Sequence, residues 1–336
     1  IFGLKLRLGI FTRRKSKKLE KEIRLYINNM TNRLLTMGCS FSCNSHPEVL
    51  QNIISDIEVH NWSRHSCGNE HIMRSVIFAC HQHYQEFKTY DNLYVVVQWS
   101  GLHRVEKLVT KKETIEFDDY LENAEVTPIV NWDNDWDNGK KRESGWLFGT
   151  GWFHLPIWKK WFHTIETDEF AFIRTMECIL TLQHFFKSNN INYKMIKMEN
   201  IFNDYSVDYY KGATISEPDS QDSGVLWNHL SGKKIQEREW ASYTAGMNGT
   251  ISKNTPLFKD KFPNATHLWD MVDWSKWFLY ENDLIENGGI AEWCLFEGNE
   301  PWCDEDDVQH PSMENRELFT RKILLNDIRK WNEFRK

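Results

Sequence analysis

Residues 91–100, Asp-Asn-Leu-Tyr-Val-Val-Val-Gln-Trp-Ser, place the tightest limit on what this chain can fold into. The stretch is apolar without alternation, which predicts a strand covered on both faces, as strands of parallel sheets are. Parallel neighbours need long crossovers, usually helical. The chain supplies them. Residues 169–187 carry Phe172, Ile173, Met176, Ile179, Leu180, Leu182 and Phe186 at helical spacing, and residues 193–198 read as the strand that follows. Upstream, residues 33–37 form a short apolar strand, and Val49, Leu50, Ile53, Ile54 and Ile57 predict a helix over residues 46–59. The β-α-β rhythm predicts an α/β chain, a three-layer α/β/α sandwich with a mostly parallel sheet, in which function gathers at the carboxyl ends of the strands.

Gly38-Cys39-Ser40 stands at such an end, followed by the polar, turn-prone Ser42 and Asn44. A strand, a tight turn and a helix in that order lift the Ser40 hydroxyl off the sheet edge and leave N–H groups free to face an oxyanion. Ser40 is thus a candidate nucleophile. Far downstream runs Asp307-Val308-Gln309-His310-Pro311-Ser312. His310 has the chemistry to take the serine proton, and Asp307, three residues earlier, to hold the imidazole in the right tautomer. After it, Leu318, Phe319, Ile323, Leu324 and Ile328 predict a helix that anchors the histidine turn to the core.

The block Gly-Cys-Ser-Phe near the start and Asp-x-x-His-Pro-Ser near the end resemble those of SGNH, or GDSL-type, hydrolases, in particular the divergent phage and marine microbial members. The resemblance spans residues 31–330 in order and spacing and is close only in these blocks. It implies a flavodoxin-like SGNH fold, a catalytic triad of Ser40, Asp307 and His310, and esterase activity. It also implies an oxyanion hole built from the N–H of Ser40 and a donor in a block like Asn-x-Gly-x-x-Gly-x-x-Asn. Here the glycine places hold Ser63 and Ser66, with Gly68 nearby, so the N–H of Ser66 is the candidate. Where the family places an Asn after the third strand, this chain has Trp99, Ser100 and Gly101, then Arg104 and Glu106. Ser100 or Gln98 is the candidate donor there.

With 336 residues, 40% of them hydrophobic, the chain can bury a large core, and residues 30–336 read as one domain with insertions near 110–165 and 203–265. The first insertion is dense in Trp, at 132, 136, 146, 152, 158 and 161. Residues 1–29 carry nine Lys or Arg against two Glu, a basic arm on a chain of net charge −7. The arm could meet an anionic surface. Met30, just before the first strand, marks it as a segment that need not be native to the fold. Seven cysteines without paired spacing argue against a secreted disulfide framework and for a cytoplasmic setting, or a virion for a phage protein. No apolar run reaches the ~18 residues of a membrane span.

No metal or organic cofactor is expected. Cys67, Cys80, His81 and His83 lack zinc-ligand spacing. Asp133, Asp135 and Asp137 imitate a calcium loop, but Asn138 and Ser144 replace its required Gly and Glu. The sequence therefore predicts a serine ester hydrolase acting on an acylated carbohydrate or another small polar ester, with nucleic acid an unlikely partner. The alternative is a binding or virion structural protein that keeps the fold without the chemistry.

Overall fold

Leu93 to Val97 are buried on both sides because the strand they form lies inside a four-stranded, all-parallel sheet. The computed structural model describes residues 32–43, 46–64, 67–102, 104–110, 126–127, 144–149, 167–202, 257–282, 286–299 and 310–333. Along them run β1 Asn32–Met37, α1 Ser40–Cys43, α2 His46–Ile53, β2 Ile57–Asn61, α3 Asn69–Phe87, β3 Leu93–Trp99, β4 Val105–Thr110, β5 Val126–Thr127 and β6 Ser144–Gly149. There follow α4 Asp168–Ser188, β7 Asn192–Lys197, α5 Phe258–Lys261, α6 Thr266–Asp270, α7 Ile290–Glu297, α8 Met313–Phe319 and α9 Leu325–Glu333. A π-turn over Thr320–Leu324 joins the last two.

The parallel sheet has the order β2-β1-β3-β7, with Leu34 beside both Val59 and Tyr94, and Val97 beside Met195. The chain first steps outward from β1 to β2, then reverses across β1 to β3 and β7. Right-handed crossovers then put α2 on one face and α3 with α4 on the other. Side chains agree with this placement. Arg33 reaches Glu86 of α3 at 2.8 Å, and Phe186 of α4 stacks on Tyr193 at 4.6 Å. On the opposite face Tyr94 meets Trp331 of α9 at 5.3 Å, and Lys194 pairs with Asp327 at 3.0 Å. A single parallel bridge from Met195 to Trp277 adds residue 277 outside β7, where a fifth strand would lie, and Trp277 stacks over Trp99 at 6.4 Å.

Two expectations need correction. The helix predicted over 46–59 ends at Ile53, and Ile57 and Val59 belong to β2. The turn at Ser55-Asp56 breaks the helix while the apolar spacing happens to continue through it. The sequence of residues 281–306 reads as a loop leading to His310, and the segment contains α7. Within the insertion near 203–265, α5 already packs on α4 through Phe172 and Phe258 at 5.9 Å. The insertion near 110–165 contributes β5 and β6, which form an antiparallel sheet with β4 in the order β4-β6-β5. The basic arm and most of the calcium-like run lie outside the described residues.

Three buried imidazoles give the fold a defined acid response. Burial, with Arg316 nearby, pulls His46 down to about 3. Burial, with Arg74 and Arg64, pulls His71 down to about 3, and burial, with Arg33 nearby, pulls His83 down to about 4. Between those values and the ordinary 6.5 the unfolded chain binds the extra protons, so stability is full above 6.5 and falls as pH drops through the window. Each histidine contributes a slope of about 1.4 kcal/mol per pH unit there. Glu199, pushed up to about 7 by burial and by the charge of Glu292, acts in the opposite sense above 4.5. Comparing urea unfolding of wild type and His46→Asn isolates one imidazole. The variant is expected to lose about a third of the histidine-driven slope between about pH 4 and pH 6, and an unchanged slope refutes the assignment.

Candidate active site

Ser40 opens α1 directly above the carboxyl end of β1, where a helix start leaves N–H groups without intrahelical partners. Gly38 makes the approach possible. A Cβ at that position would lie 2.5 Å from Ser42 Oγ and 2.8 Å from both Cβ and Oε1 of Gln98. The turn therefore rests on the buried Gln98 amide of β3. Ser42 donates its hydroxyl to Gln98 Oε1 at 2.5 Å, while Gln98 Nε2 donates to Trp99 O at 2.9 Å and lies 3.2 Å from Cys39 Sγ.

The carbonyl of Gly38 draws in the segment after β2. It accepts from Arg64 N–H at 2.9 Å and from the Cys67 thiol at 3.3 Å, and Trp62 N–H continues the ladder onto Thr36 O at 2.8 Å. Asn61 shapes the entry by accepting from Ser63 N–H at 3.0 Å. Asn69, buried at the start of α3, ties the exit to β3: its Oδ1 accepts from Ser100 N–H at 2.8 Å, and its Nδ2 donates to Ser100 O at 3.1 Å and Thr175 Oγ1 at 3.0 Å.

Into this edge comes His310 from the other end of the chain. Its Nε2 stands 2.7 Å from Ser40 Oγ, across 270 residues of sequence, and its ring meets Phe41 edge-on at 4.9 Å. Pro311 and Ser312 lead at once into α8, whose first turn Ser312 caps by accepting from Asn315 N–H. Nucleophile and base candidates thus sit within the reach that proton transfer needs.

Of the other expected residues, Asp307 and Ser66 lie outside the described residues. Ser100 is described and is not placed to serve an oxyanion. Its N–H is taken by Asn69, and its fully buried hydroxyl faces Met198 Sδ at 3.9 Å. Gln98, the other candidate donor after the third strand, is turned beneath the serine and fully buried. Asn69 falls on the last Asn of the Asn-x-Gly-x-x-Gly-x-x-Asn pattern, whereas Asn315 of α8 had no distinguishing sequence signal, since a polar residue at a helix start reads as a cap.

Beside the site, β7 ends in buried charge. Lys197 is fully buried, its ammonium 4.8 Å from the Phe202 ring, and burial lowers its pKa against the pull of Glu292 and Glu281. Glu292, likewise fully buried, accepts from Gly289 N–H at 2.6 Å and Asn200 N–H at 2.9 Å, and burial raises its pKa. Among the described residues no group of three or more His, Cys, Asp or Glu could hold a metal ion, and no helix is long and apolar enough to cross a membrane. Cys39, Cys67, Cys80, Cys178 and Cys294 are buried thiols. Comparison with protein-family models, curated proteins and solved structures finds no match in any of the three.

The closeness of Gly38 to Gln98 is testable. Gly38→Ala is expected to cost about 1–3 kcal/mol, the usual range for overpacking, because two buried neighbours must move. Urea unfolding measures it, and a change below ~0.5 kcal/mol would place the turn farther from β3 than described.

Proposed function

We propose that this protein is a serine ester hydrolase of the SGNH type, acting on an acyl group carried by a carbohydrate or another small polar alcohol. The observation that carries the reading is the 2.7 Å approach of Ser40 Oγ to His310 Nε2 at the carboxyl edge of a parallel sheet. The pairing has the geometry that activates a hydroxyl.

In the proposed reaction Ser40 Oγ attacks the ester carbonyl and gives its proton to His310 Nε2. The Oγ–C bond forms as the carbonyl π pair moves to oxygen, and the oxyanion is held by the Ser40 N–H and by that of Ser66. Arg64 and Cys67, which flank that second donor closely in sequence, both bind the Gly38 carbonyl. Collapse expels the alcohol, which takes the proton from His310. Water then attacks the acyl-enzyme with His310 again as base, releasing the acid and restoring Ser40. Asp307 is assigned the carboxylate that orients the imidazole through Nδ1–H and stabilises its cation. Ser100 has no part in this scheme.

A fluorophosphonate probe with peptide mass mapping tests it directly. Wild type is expected to label at Ser40. Ser40→Ala should abolish labelling, and His310→Ala should lower turnover of short acyl esters by about three to six orders of magnitude, since the members act as one unit. A folded wild type that neither labels nor turns over such esters would leave the binding-protein alternative.

A further inference from the structure

Two stretches of chain meet where α7 ends and α8 begins, and one side chain joins them. Asn315 is fully buried in the first turn of α8. Its Oδ1 accepts from Asn299 N–H at 2.5 Å and its Nδ2 donates to Asn299 O at 2.8 Å, so one amide satisfies both main-chain groups of a residue just beyond α7. The fit is close. A Cβ on Gly298 would lie 2.5 Å from Asn315 Oδ1 and would overlap the Cys294 carbonyl. The main chain of Asn315 is engaged too: its N–H donates to Ser312 Oγ at 3.3 Å, and its carbonyl accepts from the Cys294 thiol at 3.7 Å.

We infer that Asn315 is a positioning residue for His310, setting where the imidazole stands relative to Ser40. The catalytic meaning of this inference rests on the hydrolase reading above. His310 enters α8 through Pro311, whose ring fixes φ, and through the Ser312 cap, so it moves with the first turn of that helix. One side of α8 packs on α2, which follows the nucleophile turn. Asn315 fixes the other side to the end of α7, and with both contacts made the helix start cannot rock. An error of about 1 Å in such a pair can cost about a hundredfold in rate.

A neutral amide is needed here because Asn299 presents a donor and an acceptor together. An aspartate would set a second oxygen against the Asn299 carbonyl, and a serine is too short to span both groups. Asn299 contributes through its main chain, while its own side chain donates separately to Glu314 at 2.8 Å.

The experiment uses the full chain and the variants Asn315→Asp, Asn315→Ser and Asn299→Ala, each checked for folding by circular dichroism. Fluorophosphonate labelling, ester kinetics and ¹⁵N NMR of the His310 imidazole are the readouts. Both Asn315 variants are expected to lower kcat and the labelling rate about tenfold to a hundredfold, with KM changed by less than about threefold, and to shift the His310 ring signals. Asn299→Ala keeps the main-chain pair and should match wild type in all three. Wild-type rates and unchanged His310 signals in a folded Asn315 variant overturn the inference, as does an equal loss in Asn299→Ala. If wild type itself does not label, the hydrolase reading falls, and the His310 signals still decide whether Asn315 places that ring.

Discussion

Gly38 lacks a side chain, and the space left by that absence is taken by Gln98 and Ser42. The local architecture depends on this close approach. Because β1 can end against the β3 amide, Cys39 and Ser42 are both held from below and Ser40 stands between them at the open edge. The Gly38 carbonyl, turned the other way, gathers the Arg64 and Cys67 segment. A buried amide with unpaired atoms would be a liability of about 1–3 kcal/mol, so the arrangement holds only because each end of Gln98 has a partner.

The parts of the fold that were legible in sequence are those where one force dominates. β3 is an unbroken apolar run, and no arrangement other than a doubly covered strand hides it. α4 repeats its apolar face over five turns and is capped by Thr167, whose hydroxyl accepts from Phe170 N–H at 3.1 Å. Where forces compete, the reading failed. Ile57 and Val59 continue the spacing of α2 and yet pair with Asn32 and Leu34 in the sheet, because a tertiary ladder overrides a local period. α7 is short and apolar nearly all round, Ile-Ala-Glu-Trp-Cys-Leu-Phe-Glu, so it carries almost no amphipathic signal.

The candidate site was legible in its reacting groups and opaque in its supports. Ser40 and His310 stand out because their residue types sit in turns at recognisable places along the chain. The supports are single amides, and a lone Asn or Gln has no period to reveal its partners. Ser100 shows the same limit from the other side. Its place after β3 suggested a donor, but whether its N–H faces solvent or Asn69 depends on a residue 31 positions away.

Gln98, Asn69 and Asn315 share a chemical logic. Each must satisfy a donor and an acceptor at once: Gln98 between Ser42 and Trp99, Asn69 on both main-chain groups of Ser100, Asn315 on both of Asn299. An ionised carboxylate only accepts and an ammonium only donates, so neither could replace them. A neutral amide also keeps its bonding unchanged across the pH range in which His310 is proposed to exchange protons. The buried charges of Lys197 and Glu292 are placed at the end of β7, the second strand from β1 in the sheet. Glu292 takes its bonds from the Gly289 and Asn200 N–H groups, so its charge bears on the strand end and the start of α7, whereas the side chains of Gln98, Asn69 and Asn315 carry no charge to change.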